Sequence, residues 1–174
     1  MLNINYEVLI TTEEIQKRIK ILGAEISNDY KGRDPIIVGI LRGSCVFFAD
    51  LTREITVNAL FDFIVTTRYG YGESGGKLRL LKDLNTPIEG KEVIIVEDII
   101  DEGVTLFSLK NELLKRNPLS LKICSLLDKP ANRSVDLKAD YTGFVIDDKF
   151  VIGYGMDYKQ TFRNLPYIGA VITN

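Results

Sequence analysis

The chain has 174 residues, of which 45% are hydrophobic, and it carries 22 Lys and Arg residues against 24 Asp and Glu residues. It contains no histidine, which excludes Ser-His-Asp and Cys-His nucleophilic triads and every His-ligated metal site. The net charge of −2 gives no general attraction to nucleic acid. We therefore expect a single domain over residues 1–174, in which carboxylates, Lys or Tyr perform any acid–base chemistry.

The sequence indicates neither a membrane segment nor a disulfide framework. No apolar run approaches the length needed to cross a bilayer, and the N-terminus lacks the charged and apolar regions of a signal peptide. Cys45 and Cys124 are isolated, form no CxxC motif and lie in apolar surroundings, so we expect both to be buried. The sequence thus predicts a cytoplasmic protein with no membrane partner.

The N-terminal half of the chain predicts alternating helices and strands. Thr11 and Glu14 have the spacing of a capping box, and the apolar residues after them fall on one helical face. Residues 35–41 form a continuous apolar run between turn residues, which predicts a strand buried on both faces. In chain order, the predicted elements are a helix from about 12 to 30, a strand over 35–41, a helix over 45–55 and strands over about 60–67 and 78–81.

A glycine-rich segment, residues 69–76, separates the last two of these strands. It contains Gly70-x-Gly72-x-x-Gly75, the spelling of a dinucleotide-binding fingerprint. The residues that follow alternate like a strand and do not open a helix, so the fingerprint lacks its βαβ context. A mobile loop or lid is the better interpretation, and a plain hairpin is the alternative.

The C-terminal half predicts three more strands and one helix. The strands cover residues 92–96, 121–127 and 141–146, and the helix ends near residue 117. Strands that alternate with helices imply an α/β fold with a mainly parallel sheet and helices on both faces. Such sheets bind ligands at the carboxyl ends of their strands. We therefore expect the functional residues in the loops after Leu41, Thr67, Val96 and Leu127.

The segment from Val93 to Thr105 carries the strongest chemical signal. Glu97 and Asp98 follow a buried strand, and two acids this close need a cationic or hydroxylic partner, because otherwise they raise each other's pKa. A ribose diol or a hydrated divalent cation would serve. The turn from Asp101 to Thr105 brings backbone N–H groups, a helix N-terminus and a hydroxyl to one point, as a phosphate site requires. Taken alone, this pattern also fits a solvated turn with an acidic N-cap.

The same segment resembles the phosphoribosyl-diphosphate (PRPP) signature of the type I phosphoribosyltransferases, in the spelling of the hypoxanthine-guanine branch. Four further segments match the family in the same order, at residues 39–44, 47–51, 126–130 and 150–158. The resemblance implies the type I phosphoribosyltransferase fold with a small hood from the terminal segments, Mg²⁺ as cofactor, and a homodimer or homotetramer. It also implies purine salvage from PRPP and a 6-oxopurine, giving IMP or GMP and pyrophosphate. The sequence does not rank hypoxanthine, guanine and xanthine.

The resemblance further implies a role for each matching residue, with Asp101 as the general acid/base beside N7 of the purine. The residues that bind the ribose and phosphate of PRPP would be Glu97, Asp98, Asp101, Glu102, Gly103, Val104 and Thr105. Pyrophosphate would be bound by Arg163 and by the turn formed by Leu41, Arg42 and Gly43. In the family, this turn carries a non-proline cis peptide. The purine would be bound by Lys129, Phe150, Val151 and Asp157. Glu97 and Asp98 would hold Mg²⁺ together with the ribose hydroxyls, Asp157 would bind a second Mg²⁺, and Tyr69 would belong to the lid.

Three positions depart from the family pattern. Arg42 stands where the family has Lys, and Arg68 stands where its lid has Ser. Glu102 stands where the family has Thr, beside the expected 5′-phosphate, and we expect its side chain to point outward. The alternative function is a PRPP- or nucleotide-sensing regulator with the same fold and no catalysis. Such a regulator would lack the catalytic acid or carry a basic surface, whereas this chain has Asp101 and a net acidic charge.

Overall fold

Two β-sheets and three α-helices make up the part of the chain that the computed structural model describes, residues 4–69 and 77–172. The strands are β1 Tyr6–Ile10, β2 Ile36–Leu41, β3 Leu60–Tyr69, β4 Lys77–Lys82, β5 Glu92–Ile100, β6 Ser120–Asp128, β7 Tyr141–Val145, β8 Val151–Ile152 and β9 Ile168–Val171. The helices are α1 Thr12–Asp29, α2 Cys45–Glu54 and α3 Val104–Leu114, and a short 3₁₀ helix covers Pro130–Asn132.

The larger sheet has six strands in the order β4-β3-β2-β5-β6-β7. Strand β4 runs antiparallel to β3, and the other neighbouring pairs are parallel. Alternate residues of β2 and β5 enter two separate cores: Ile37 and Ile94 pack with α1 and α2, whereas Ile36 and Val93 pack with α3. The predicted α/β fold, with a mainly parallel sheet and helices on both faces, is therefore confirmed.

Helix α1 begins at the predicted capping box. The Thr11 hydroxyl accepts a hydrogen bond from the Glu14 N–H, and the Glu14 carboxylate accepts one from the Thr11 N–H at 2.8 Å. These bonds satisfy donors that a helix N-terminus otherwise leaves unpaired. The apolar face of the helix is fully buried against the sheet, through Ile15, Ile19, Leu22 and Ile26.

Strand β5 is longer than the sequence predicts. The predicted end at Val96 is wrong, because Glu97, Ile99 and Ile100 still pair with residues of β6. Hydrogen bonding to a neighbouring strand extends the element beyond the apolar run from which it was predicted. The two acids therefore lie inside the last part of a strand, and the turn begins only at Asp101.

Two other expectations are also wrong. Helix α3 ends at Leu114 and not near Asn117, because Arg116 and Asn117 donate to carbonyls three residues back and so close the helix in a tight turn. Cys45 is exposed, because it is the first residue of α2 and the buried side of that helix begins at Phe47. Burial is confirmed for the other cysteine, Cys124.

The terminal segments form a second, antiparallel sheet in the order β1-β9-β8. We call β1, β8 with the preceding Phe150, β9 and the segment between β8 and β9 the hood; the Phe150 carbonyl accepts a hydrogen bond from Val171 of β9 at 2.8 Å. The presence of the hood confirms the fold that the resemblance implies. The hood is fastened to the helices by a shared carboxylate: the Tyr154 hydroxyl donates to Asp50 of α2, and Gln16 of α1 donates to the same carboxylate at 3.0 Å. Among the described residues, no helix is long and apolar enough to cross a membrane.

Candidate active site

A cavity of about 720 Å³ opens at the carboxyl end of the parallel sheet, in front of the N-terminus of α3. Its wall is built from the ends of β2 and β5, the turn after β5 and the first residues of α3. This is the position that the rule for parallel sheets predicts. Six residues named from the sequence line it: Glu97, Asp101, Glu102, Gly103, Val104 and Thr105.

At the start of α3, beside this cavity, several backbone N–H groups have no hydrogen-bond partner among the described residues. The first helical hydrogen bond is donated by Phe107 to the Gly103 carbonyl at 2.8 Å, so the N–H groups of residues 104–106 precede it. Gly103 has a φ of 82°, and a Cβ there would lie 2.9 Å from the Cδ atom of Arg133. Only glycine meets both conditions without strain. The turn thus presents free donors and the Thr105 hydroxyl to an anion.

Glu97 and Asp98 face different parts of the site. Glu97 lines the cavity, whereas Asp98 lies against the turn after β2, where a Cβ on Gly43 would be only 1.9 Å from its Oδ2 atom. Neither carboxylate forms an ion pair with a Lys or Arg of the described residues. Burial, and then the neighbouring Asp98 carboxylate, raises the pKa of Glu97 well above its ordinary value. Such an uncompensated pair suits a cation or hydroxyl groups.

Asp101 is held on the rim of the cavity by two donors. The Lys129 ammonium lies 3.1 Å from its Oδ2 atom, and the Asn132 amide donates to its Oδ1 atom at 2.9 Å. Lys129 is itself buried, with 4% of its surface exposed, and its Nζ atom lies 3.6 Å from Asp148. Burial alone would raise the pKa of Asp101, but the hydrogen bonds from Asn132 and Lys129 outweigh it and lower the pKa.

Sequence reasoning missed two members of this cluster, Asn132 and Asp148. Both line the cavity, and the Asn132 amide donates to Asp148 at 2.6 Å. The only signal for them was proximity along the chain, because they lie three residues after Lys129 and two before Phe150. Contacts between two separate loops could not be predicted from one sequence.

Gly155 of the hood connects the residues predicted to bind pyrophosphate, because it contacts both the turn after β2 and Arg163. The peptide bond after Leu41 is cis, as the resemblance implies. Gly155 has a φ of 100°, and a Cβ there would lie 2.1 Å from the Gly43 carbonyl oxygen, so the two backbones are in direct contact. Arg163 donates to the Gly155 carbonyl at 2.6 Å and pairs with Asp157 at 2.5 Å. The guanidinium is thus placed next to the turn after β2.

The residues predicted to bind the purine lie in the hood, apart from the buried Lys129. The Phe150 side chain is 51% exposed, and its ring meets the Tyr158 ring edge-on with centroids 5.7 Å apart. Val151 is buried in β8, where it pairs with Ala170 of β9. The side chains of Phe150, Val151 and Asp157 do not line the cavity, but Asp148 connects their segment to its rim.

The positions that depart from the family are described only in part. Arg42 is exposed, and so is Glu102, whose carbonyl accepts a hydrogen bond from the Ser134 N–H at 3.1 Å. Glu102 also lines the cavity, so its expected outward orientation stays a prediction. The predicted lid, with residues 70–76 and the side chains of Arg68 and Tyr69, lies outside the described residues.

The predicted metal ligands do not meet as one set. Within residues 4–69 and 77–172, no group of three or more His, Cys, Asp or Glu side chains is gathered to hold a metal ion. Glu97, Asp98 and Asp157 therefore do not form a joint cage. Mg²⁺ in phosphate-transfer sites is usually bound by one or two carboxylates together with water and substrate oxygens, so the adjacent acids Glu97 and Asp98 still fit that ion.

Comparison with known proteins identifies the family. A family model described as a phosphoribosyl transferase domain matches residues 6–159. The chain belongs to this family. Similarity to a solved structure agrees with the fold of this phosphoribosyl transferase domain: a hypoxanthine-guanine phosphoribosyltransferase from Bacillus anthracis superposes with a TM-score of 0.93 at 46% identity, covering 98% of this chain and 100% of that one.

Curated relatives are similar over nearly the whole of this phosphoribosyl transferase domain. It is 50% identical to hypoxanthine phosphoribosyltransferase of Escherichia coli (strain K12) over 169 residues, covering 95% of each chain. It is 45% identical over 166 residues to the bifunctional protein TilS/HprT of Listeria monocytogenes, covering 95% of this chain and 26% of that protein. The chain thus spans about a quarter of the length of the Listeria relatives that it matches.

Proposed function

We propose that this chain transfers the phosphoribosyl group of PRPP to hypoxanthine, and also to guanine, forming IMP or GMP and releasing pyrophosphate. One observation carries the proposal: Glu97 of the acidic pair, the N-terminus of α3 and Asp101, which pairs with Lys129, line one cavity. The printed name of the Escherichia coli relative, at 50% identity, supports the same reaction. Residues 1–174 would form the single domain that performs it.

The 5′-phosphate of PRPP would bind at the start of α3. The N–H groups of residues 104–106 and the Thr105 hydroxyl are available donors there, and the helix dipole favours an anion at this end. Glu102 lies beside this position but is exposed, so its carboxylate can stay in water while its backbone remains tied to Ser134. The phosphate would then be held chiefly by backbone groups.

The purine would bind between the Asp101 cluster and the hood. Lys129 would donate to the exocyclic O6 atom, and Phe150, whose ring is half-exposed, would stack on the base. Val151 would read the edge of the base through backbone groups. Asp101 would act as general acid/base beside N7, for which its lowered pKa supplies an ionised carboxylate at neutral pH.

The sugar and the metal would be bound at the end of β5. Displacing pyrophosphate builds positive charge on the ribose, which the Glu97 and Asp98 carboxylates stabilise electrostatically. These two residues would also hold Mg²⁺ and the ribose hydroxyls, and Asp157 would bind a second Mg²⁺. When bound, Mg²⁺ neutralises charge on the leaving pyrophosphate.

Pyrophosphate would bind at the turn after β2, formed by Leu41, Arg42 and Gly43, together with Arg163. The Gly43–Gly155 contact and the Arg163 hydrogen bond to Gly155 support this, because they hold a cation next to the turn. The turn also lies against Asp98. Leaving group and acidic pair would therefore be neighbours.

Assembly and location are further proposals. The protein would be cytoplasmic, would bind neither nucleic acid nor membrane, and would form a homodimer or homotetramer. Leu60 and Phe61 of β3, each 53% exposed, offer apolar surface for such an assembly.

Pyrophosphate release, measured with PRPP, Mg²⁺ and each of hypoxanthine, guanine and xanthine in turn, tests the proposed reaction. We expect turnover with hypoxanthine and guanine, and a kcat lower by roughly 10²–10⁴-fold in Asp101→Asn, the usual range for a positioned acid or base. Asp136→Asn, at an exposed carboxylate away from the cavity lining, is the matched control. Binding of PRPP without turnover on any base would indicate the regulator instead.

A further inference from the structure

Asn132 reaches the active site because of the short helix that follows Lys129. This helix is 3₁₀, with the Asn132 N–H donating to the Lys129 carbonyl and the Arg133 N–H to the Pro130 carbonyl, each at 3.2 Å. In such a helix, side chains three residues apart lie on the same side. Asn132 is therefore brought to the side of Lys129, on the rim of the cavity.

The Asn132 amide bridges two carboxylates. Its Nδ2 atom donates to Oδ1 of Asp101 at 2.9 Å and to Oδ1 of Asp148 at 2.6 Å. An amide nitrogen carries two N–H donors, so both are used. The opposite orientation of the amide would point its carbonyl oxygen at two carboxylates, and is therefore excluded by repulsion.

Lys129 and Asn132, the two hydrogen-bond donors to Asp101, respond differently when substrate binds. In the proposed complex, Lys129 turns toward the 6-oxo group of the purine, which competes with its 3.1 Å contact to Asp101. The Asn132 contact involves no group assigned to the substrate. Its second anchor, Asp148, further restricts the rotation of the amide. Asn132 is thus the contact that can keep the Asp101 carboxylate oriented during transfer.

We propose that Asn132 is a positioning residue: its amide fixes the Asp101 carboxylate at the rim of the cavity while Lys129 engages the base. The inference rests on the proposed function, and goes beyond it by assigning a role to a residue outside the motifs of the family. It requires that Asn132 acts through Asp101 and through no other group.

A double-mutant cycle tests this requirement. Asn132→Leu removes both donors at nearly constant size, and it is measured in the natural chain and in Asp101→Asn. We expect kcat to fall about 10-fold to 100-fold in the natural chain, the scale of a misplaced catalytic group, with the KM for PRPP within about twofold. In the Asp101→Asn background, the same change should alter kcat by less than about twofold, because residues that act as a unit are not additive.

Two further variants keep the test decisive. Asn28→Leu places the same side chain at an exposed position of α1 and should leave kcat unchanged. If Asn132→Leu lowers the thermal unfolding midpoint by more than about 10 °C, Asn132→Asp takes its place, because it keeps the size and replaces both donors by acceptors. We expect an even larger loss of kcat from Asn132→Asp, again only where Asp101 is present.

Each of the other possible results of these kinetic measurements contradicts one specific claim. An unchanged kcat in Asn132→Leu and Asn132→Asp removes Asn132 from the reaction and leaves the proposed function intact. Equal losses with and without Asp101 show a merely structural role. No transfer by the natural chain, or no effect of Asp101→Asn, refutes the proposed function or its acid/base, and the inference with it.

Discussion

The ionised form of Glu97 is less favourable than that of an ordinary surface carboxylate. Burial and the adjacent Asp98 raise its pKa, so the folded protein retains a proton that the unfolded chain releases. Its contribution to folding stability is therefore greatest at pH values below the ordinary Glu pKa and declines as the pH rises toward the raised value. A bound cation or ribose hydroxyl would offset this cost, which is typical of residues retained for function.

We expect Glu97→Gln to stabilise the metal-free protein while abolishing transfer. The substitution removes a carboxylate whose ionised form is disfavoured in the folded protein, and single stabilising substitutions commonly add about 0.5–2 kcal/mol to the free energy of unfolding. The gain should increase as the pH rises above the ordinary Glu pKa, because the stability contributed by protonated Glu97 is lost over that range and the neutral Gln does not titrate. Urea denaturation in EDTA measures it, with the exposed Glu89→Gln as control. A destabilised variant, or a gain independent of pH, would contradict the explanation.

Glu102 is the departure from the family that bears directly on PRPP affinity. Because it is exposed and the phosphate would be held by N–H groups and Thr105, we expect Glu102→Thr to leave the KM for PRPP within about threefold, less than roughly 0.7 kcal/mol. Thr105→Val, which removes a proposed phosphate donor, should raise the same KM and serves as the comparison. A tenfold or greater tightening in Glu102→Thr would show that its carboxylate occupies the phosphate site.

At the scale of elements, the sequence predicts what is decided locally. The capping box of α1 depends on residues three apart, and the doubly buried strands β2 and β5 are visible as apolar runs, so these were found correctly. The end of β5 could not be predicted in this way, because it depends on pairing with β6. Strand β1 was missed since its partner β9 lies some 160 residues further along the chain.

The same distinction applies to the site. Glu97, Asp98 and the turn 101–105 are contiguous, and their chemistry could be argued from spacing alone. The roles of Lys129 and Phe150 required the family resemblance. Asn132 and Asp148 were missed, because a hydrogen bond between two loops leaves no pattern in either loop.

The hood is joined to the helices by polar contacts that include the Tyr154–Asp50 hydrogen bond and a hydrogen bond from the Thr12 hydroxyl to the Pro166 carbonyl. The first of these gives a prediction at this scale. Tyr154→Phe removes the donor to Asp50 and should lower the free energy of unfolding by about 0.5–1.5 kcal/mol. Because Phe150 and Asp157 belong to the hood, we also expect the KM for hypoxanthine to be higher in this variant than in the natural chain. Tyr6→Phe, which removes a hydroxyl contact inside the hood at 3.1 Å, is the matched control. Similar KM changes in both variants would show that the connection to Asp50 is not specific.

At the scale of the whole molecule, two sheets supply complementary parts of one site. The six-stranded sheet supplies the acidic pair, the phosphate turn and Asp101 from the end of β5 and the start of α3. The hood contributes Arg163 and Gly155, which contact the turn after β2. Neither part alone has both the anion-binding groups and the residues proposed for the base. Substrate binding should therefore depend on how the hood is held against the helices.

The pair of acids Glu97 and Asp98 leads to a prediction about the whole molecule: Mg²⁺ should be required for transfer but not for folding. Activity should vanish in EDTA and return with Mg²⁺, without any need for zinc, because oxygen ligands and a pyrophosphate leaving group suit a hard cation. The thermal unfolding midpoint without PRPP should change by less than about 2 °C on adding Mg²⁺, since the described residues form no cage of three or more ligands that folding would need to close. With PRPP present, Mg²⁺ should raise the midpoint, because the ion and the substrate would share the Glu97–Asp98 pair. Full activity in a metal-free assay would refute this assignment of the two carboxylates.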